Sequence, residues 1–407
     1  MSFDTLKLSA SLLRAINEQD YAIPTAVQLA AIPAILEGRD VWACAQTGSG
    51  KTAAFGLPIL QRLSESATMR EHTVRALIVA PTRELTAQIG EAMRSYARYL
   101  PSSLKVLSVF GGVSINPQMM ALRGGADILV ATPGRLLDLI DHNALTLEGV
   151  EILVLDEADR LLELNFAEEL KRTISLLPAR RQNLLFSATF PPDVHALAVE
   201  LLHDPVRIDA PLVETEMIER VIQVDAPRRT QLLRRLIEDH QWERTLVFVA
   251  TKYATEHVAE KLRRAGINAA ALHGELSQGA RTKALGDFKA AKLQVIVATD
   301  LASRGIDVVQ LPAVVNYDLP RSPDDYVHRI GRTARAGAPG IAVSFVDAAS
   351  EAHFRLIERR RGVRLPREQI TGFEPTETPP AQPSSTGGIK GKRKSKKDKA
   401  REARGAG

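Results

Sequence analysis

Two short segments carry residue types that together can hold a nucleoside triphosphate and a divalent cation. The first, Ala45-Gln46-Thr47-Gly48-Ser49-Gly50-Lys51-Thr52, follows a short apolar run and opens a helical pattern. Glycines there free backbone N–H groups to face phosphate oxygens, and a helix N-terminus adds its partial positive charge. In that setting Lys51 would neutralise the β- and γ-phosphates, and the Thr52 hydroxyl would ligate Mg2+. The second segment, Asp156-Glu157-Ala158-Asp159, follows Ile152-Leu153-Val154-Leu155. Asp156, at the end of a buried strand, can bring its carboxylate to the same cation, and Glu157 can position an attacking water. Alone, the first segment is a glycine-rich turn with a lysine, and the second an acidic helix start that complements a dipole. Their pairing in this order favours a joint phosphate and metal site.

Further along, Ser187-Ala188-Thr189 follows another apolar run, and its hydroxyls can hydrogen-bond the acidic segment. Much later comes His328-Arg329-Ile330-Gly331-Arg332-Thr333-Ala334-Arg335. Arg332 and Arg335, three residues apart, can aim both guanidiniums at one anion from a single helix face or turn. Arginines so placed stabilise charge on a transferring phosphoryl group, an effect worth ~10³-fold or more in rate. The bland alternative is a solvated cationic helix, which His328 and Gly331 beside the arginines make less attractive. The second half has no second Gly-Lys-Thr, so one triphosphate site is expected. It would be shared between the halves, with hydrolysis coupled to their closure.

The elements that must position these residues follow from apolar periodicity. Strands are expected at Asp40–Ala45, Ala76–Ala80, Val106–Phe110, Ile128–Ala131, Ile152–Leu155, Asn183–Phe186 and Val206–Ile208. Several are apolar throughout, as strands covered on both faces should be. Amphipathic stretches such as Thr86–Tyr99 and Glu168–Leu177 separate them. The rhythm repeats at Arg220–Val224, Thr245–Val249, Asn268–Leu272, Gln294–Ala298, Ala313–Asn316 and Ile341–Phe345, with helices such as Lys252–Arg264 between. Such alternation predicts an α/β fold of two tandem doubly wound parallel-sheet domains. The expected division is residues 1–208, a linker at 209–217, a second domain at 218–365 and a disordered basic tail at 366–407.

A chain of 407 residues is too long for one core, and 45% hydrophobic with 25% charged residues fits an ordinary globular protein. No run approaches the ~20 apolar residues of a membrane span, and the N-terminus does not read as a secretory signal. The single Cys44 excludes an intrachain disulfide and fits a reducing, cytoplasmic setting. From Ile389 onward nine Lys or Arg face only Asp398 and Glu402, a net +7; set against the chain's +5, the rest carries −2. Bulk charge therefore gives a nucleic-acid groove in the body no help. The tail itself could hold phosphates through a salt-sensitive contact.

These ordered motifs resemble the DEAD-box ATP-dependent RNA helicases over about residues 1 to 365, most closely the bacterial RhlE type. The resemblance implies RecA-like domains and a reader for adenine in Phe3, Tyr21, Pro24-Thr25 and Gln28, with Gln28 on the base edge and Phe3 stacked on it. An amide both donates and accepts, as adenine does. It implies RNA contacts from Pro81, Thr82, Arg83, Glu84, Leu85, Gly111, Gly112, Thr132, Pro133, Gly134 and Arg135 in the first domain. In the second they are His273, Gly274, Gln278, Arg281 and Thr299, and Asp307 matches the ATP ribose ligand. Asp20 and Ala26 depart from the family's usual Gly and Pro, and Ala334 from its usual Gly. With only 5% aromatic residues, base stacking is not expected as the binding mode, and backbone contacts should make it largely sequence-independent. ATP and Mg2+ as cofactors, a monomer, and ribosomal or RNA-decay complexes as partners complete what the resemblance implies.

Overall fold

The computed structural model describes residues 2–45, 48–66, 73–164, 166–210, 217–303, 311–334 and 339–376. Among the described residues, two seven-stranded sheets, parallel throughout, organise the chain. The first contains β1 (Val41–Cys44), β2 (Ala76–Val79), β3 (Val106–Val109), β4 (Ile128–Ala131), β5 (Ile152–Leu155), β6 (Gln182–Ser187) and β7 (Val206–Asp209). The second contains β8 (Met217–Gln223), β9 (Thr245–Phe248), β10 (Ala269–Leu272), β11 (Val295–Ala298), β12 (Ala313–Asn316), β13 (Gly340–Val346) and β14 (Arg367–Glu368).

The central strands are wholly apolar because helices cover both faces. Along β2, β4 and β5 alternate side chains enter different cores: Ile78, Val130 and Val154 join one, and Leu77, Leu129 and Leu153 the other. Burial of each such side chain stabilises by ~1.5–3 kcal/mol. The polar residues of the motifs sit where these runs end, at the carboxyl edge of each sheet. Several helices begin at that edge on hydroxyl caps, which satisfy N–H groups that have no partner in the first turn. Thr82 accepts from the Leu85 N–H at 3.3 Å and Thr251 from the Ala254 N–H at 3.1 Å. Ser277 accepts from the Ala280 N–H at 3.2 Å.

Strand order decides which loops are neighbours. The first sheet runs β3-β4-β2-β5-β6-β1-β7. The loops after β1, β5 and β6, carrying the phosphate loop, the acidic segment and Ser187, therefore form one group. Those after β2, β3 and β4, carrying Pro81, Gly111 and Thr132, form another. The second sheet runs β10-β11-β9-β12-β13-β8-β14, so the loops after β10, β11 and β9 adjoin at one end.

The expected boundaries need correction at two places. Asp209 and Met217 belong to paired strands, which leaves 210–216 between the sheets. Residues 366–376 do not begin a tail: Arg367 and Glu368 pair with Val221 and Ile222, and Ile370 and Phe373 pack on the second core. Arg220 grips Glu368 at 2.8 Å, and Thr376 donates to Asp225 through its hydroxyl at 2.8 Å. The basic run after Thr376 lies outside the described residues.

Candidate nucleotide and RNA site

Lys51, first residue of the helix Lys51–Glu65, is buried and donates its ammonium to the Ala45 carbonyl at 3.0 Å. Gly48, Ser49 and Thr52 flank it at the carboxyl end of β1. Gly50 adopts φ +90°, and a Cβ there would meet Gln28 Nε2 at 2.4 Å, so only glycine fits. Gln28 Oε1 accepts from the Thr25 N–H at 2.9 Å, and its Nε2 donates to the Gly50 carbonyl at 3.1 Å. The expected contact of Gln28 with a base edge is thus qualified: its amide ties the helix Ala26–Leu36 to the phosphate loop. Phe3 is also placed differently from expectation. It is buried in the core, whereas Tyr21, 37% exposed with its hydroxyl 3.2 Å from that of Tyr96, offers an open ring.

Asp156 caps β5 and is nearly fully buried. Burial pushes its carboxyl up to about 6, with Glu157 and Asp159 adding to the rise and Lys51 opposing it. Among the described residues no three His, Cys, Asp or Glu side chains cluster to hold a metal by themselves. The donor set still fits Mg2+, which takes one or two protein oxygens alongside substrate phosphates and water. Thr52 and Asp156 supply a hydroxyl and a carboxylate, and a cation would offset the crowded negative charge. Glu157 sits in the left-handed region at φ +51°, a conformation unfavourable for a residue with a Cβ. This turn starts the helix Ala158–Glu163 beyond the acids.

The third acid connects the segment to the Ser187 loop. Asp159 Oδ2 accepts from the Thr189 N–H at 2.9 Å and the Thr189 hydroxyl at 2.8 Å. The Asp159 N–H donates to Ser187 Oγ at 3.2 Å, and that hydroxyl donates to the Thr189 carbonyl at 2.7 Å. The hydroxyls expected to bond the acidic segment do so, through its third acid.

Facing this wall is the helix Pro323–Ile330. His328 and Arg332 line a small cleft with Arg160 of the first sheet's domain and Phe248, Asp300, Asp325 and Arg329 of the second. Arg160 lies 3.7 Å from Asp325 across the cleft. Burial drives the His328 imidazole down to about 4, reinforced by Arg160 and Arg332 and resisted by Asp159 and Asp325. Arg332 lies beyond the helix, in a turn where its N–H bonds the Arg329 carbonyl at 3.1 Å. Ala334, where the family usually has Gly, adopts φ +51°, a left-handed and not a helical conformation. The family's glycine is easier there because it lacks the Cβ penalty. Arg335 and Asp307 lie outside the described residues.

Among the expected RNA residues, the cations turn inward. Arg281 pairs with Glu84 across the two domains at 2.6 Å, both side chains about nine-tenths buried. Arg135 donates to the Val113 carbonyl at 2.8 Å and lies 3.6 Å from Asp138. His273 Nε2 meets Glu256 at 2.9 Å. Arg83 lies so close over Gly112 (φ +74°) that a Cβ there would fall 2.0 Å from its guanidinium. Thr82, Gly111, Gly134, Gly274, Gln278 and Thr299 keep partial or full exposure, while Pro81, Thr132 and Pro133 are buried beside them. Backbone at such loops can approach phosphates closely.

The sequence reading assigned no role to Arg329 or Arg160, and to Glu84 only an RNA contact, not the pairing with Arg281. Arg329 forks onto Asp300 at 2.6 and 2.8 Å and also donates to Asn316 and the Asp318 carbonyl. The signal was present in an arginine flanked by Tyr326 and Ile330, whose apolar helix face must enter a core.

A phosphate loop, a buried acid pair and an opposed arginine on two parallel-sheet units define a two-domain nucleoside triphosphatase. Sequence models of the DEAD/DEAH box helicase family and of the helicase conserved C-terminal domain match residues 25–197 and 228–337. The chain is 40% identical to the ATP-dependent RNA helicase DeaD of Mycobacterium tuberculosis, over 93% of this chain and 66% of that one. It is 42% identical to the DEAD-box ATP-dependent RNA helicase CshA of Streptococcus pneumoniae, over 92% and 70% respectively. It thus spans about two-thirds of the length of these relatives. Saccharomyces cerevisiae Dbp5 bound to RNA and ADP BeF3 aligns at TM-score 0.76 and 30% identity, covering 90% of this chain and 95% of that one. A DEAD box protein from Methanococcus jannaschii aligns at TM-score 0.55 and 36% identity, covering 90% and 99%. The chain belongs to the DEAD-box family of ATP-dependent RNA helicases.

Proposed function

We propose that the protein uses ATP to separate short RNA duplexes or remodel RNA–protein complexes, hydrolysing ATP in response to RNA. The observation that carries this reading is the cleft in which His328 and Arg332 face Arg160 across two domains, with Asp159 close enough to act on the His328 imidazole. In this scheme Lys51 and the glycines of its loop hold the triphosphate, Tyr21 and Gln28 border the adenine, and Asp307 takes the ribose. Thr52 and Asp156 would hold Mg2+, which when bound screens phosphate charge and polarises the γ-phosphate. Glu157 orients the attacking water. Arg332 and Arg335 stabilise charge on the transferred group, and His328 reports closure to Asp159, Ser187 and Thr189.

RNA would cross the carboxyl edges of both sheets, touching the loops at 81–85, 111–112, 132–135, 273–281 and Thr299. Closure that bends one strand is incompatible with a regular duplex. At ~1.4 kcal/mol per stacked step, a DNA figure, about five pairs cost ~7 kcal/mol, within the reach of coupled binding, whereas tens of pairs are not. Contacts to backbone and 2′-hydroxyls favour RNA over DNA. Among the described residues no helix is long and apolar enough to cross a membrane. A cytoplasmic monomer of RhlE type, acting in ribosomal or RNA-decay complexes, is the setting we favour.

The test is steady-state ATPase with single-stranded RNA, duplex RNA and DNA. Stimulation by RNA alone supports the reading; equal activity without nucleic acid, or stimulation by DNA alone, overturns it and favours a DNA translocase. Pairing Glu84 with Arg281 between the two domains also suits an ATP-gated RNA clamp, which would hold RNA without releasing strands in an unwinding assay.

A further inference from the structure

The helix Lys252–Arg264 begins where β9 ends, at the edge where the loops after β10 and β11 adjoin. Its first turns contact the His273–Glu275 loop through two side chains on one face. Lys252 pairs with Glu275, and Glu256 with His273. One position further round, Tyr253 and His257 lie nearly parallel and offset, ring centroids 5.7 Å apart and planes 13° from parallel. Tyr253 is 74% exposed, an unusual placing for a large ring that could have lain down on its helix. With His257 only at the ring's edge, most of the ring surface meets solvent.

We infer that Tyr253, beside His257, is a stacking platform for one base of the single-stranded RNA passing the His273-Gly274 loop. This rests on the RNA reading above and deepens it by adding a base contact to a groove otherwise lined by backbone binders. Composition argues against stacking as the general mode, but one platform needs only one ring. Aromatic faces accept any base, so the contact adds affinity and position along the strand without sequence choice. Gly274 has open space around its Cα, leaving room for a strand to pass.

The test measures binding of a labelled single-stranded oligoribonucleotide in the presence of a non-hydrolysable ATP analogue. Tyr253→Ala should weaken affinity about fivefold or more, whereas Tyr253→Phe should bind as the unaltered protein does. Tyr253→Trp should bind RNA with quenched tryptophan emission relative to the free variant, the direct signature of a stacked base. Normal affinity in Tyr253→Ala together with unquenched emission in Tyr253→Trp would overturn the platform and leave the pair as a helix-stabilising i, i+4 contact. Failure of the unaltered protein to bind the oligoribonucleotide would overturn the underlying RNA reading, and the platform with it.

Discussion

The two walls of the cleft are built differently. On the first sheet's side, Asp159, Ser187 and Thr189 are closed into a hydrogen-bonded ring, and Asp156 is buried beside Lys51. That wall is formed within one domain, so it can bind before closure. On the second sheet's side, Arg329 is consumed by Asp300 and Asn316, and this anchors the helix that carries His328. His328 and Arg332 also meet Arg160 of the other domain, so their surroundings are completed only once the halves come together. One wall is therefore a binding surface and the other a responder.

If that contrast holds, the largest effect belongs to the acid that acts only on the reacting water. Glu157→Gln should keep ATP affinity while lowering RNA-stimulated turnover about 10²-fold or more, read by single-turnover hydrolysis. A near-normal rate would remove Glu157 from the reaction. Next comes the anchor of the responder. Arg329→Ala leaves Asp300 and Asn316 without their cation and should destabilise the second domain by about 3 kcal/mol in urea unfolding, with ATP binding by the first unaltered.

A third prediction concerns pH. The closed protein holds His328 at about 4 against an ordinary value near 6.5. Its neutral form favours closure fully above pH 6.5; as pH falls toward 4, the open form takes a proton that the closed form refuses. Interdomain energy transfer at pH 5.5 should show closure weakened about tenfold relative to pH 7.5, and His328→Gln should flatten that dependence. The smallest effect should come from Ala334→Gly, which relieves a left-handed alanine and should add up to ~1 kcal/mol to the stability of the second domain.

Much of this was legible in the sequence because parallel strands buried on both faces announce themselves as apolar runs. Ile128–Ala131, Ile152–Leu155 and Ala313–Asn316 fall where those runs fall. Arg367–Glu368 gave no such sign: an edge strand of two charged residues after Pro366 is held by pairing with β8 and by Arg220. The motif residues were visible by type and spacing, but their partners were not. That Gln28 bonds the phosphate loop, that Phe3 is buried, and that Arg281 meets Glu84 of the other domain all depend on tertiary placement. The left-handed backbone at Ala334 was not legible either, because periodicity cannot report a positive φ.

The central claim is that RNA and ATP draw the two walls together, and linkage gives the direct measurement of it. The dissociation constant of a non-hydrolysable ATP analogue should be measured with and without saturating single-stranded RNA. The account predicts at least fivefold tighter nucleotide binding with RNA, and loss of that gain in Arg281→Ala. Equal affinity in both conditions for the unaltered protein would contradict it.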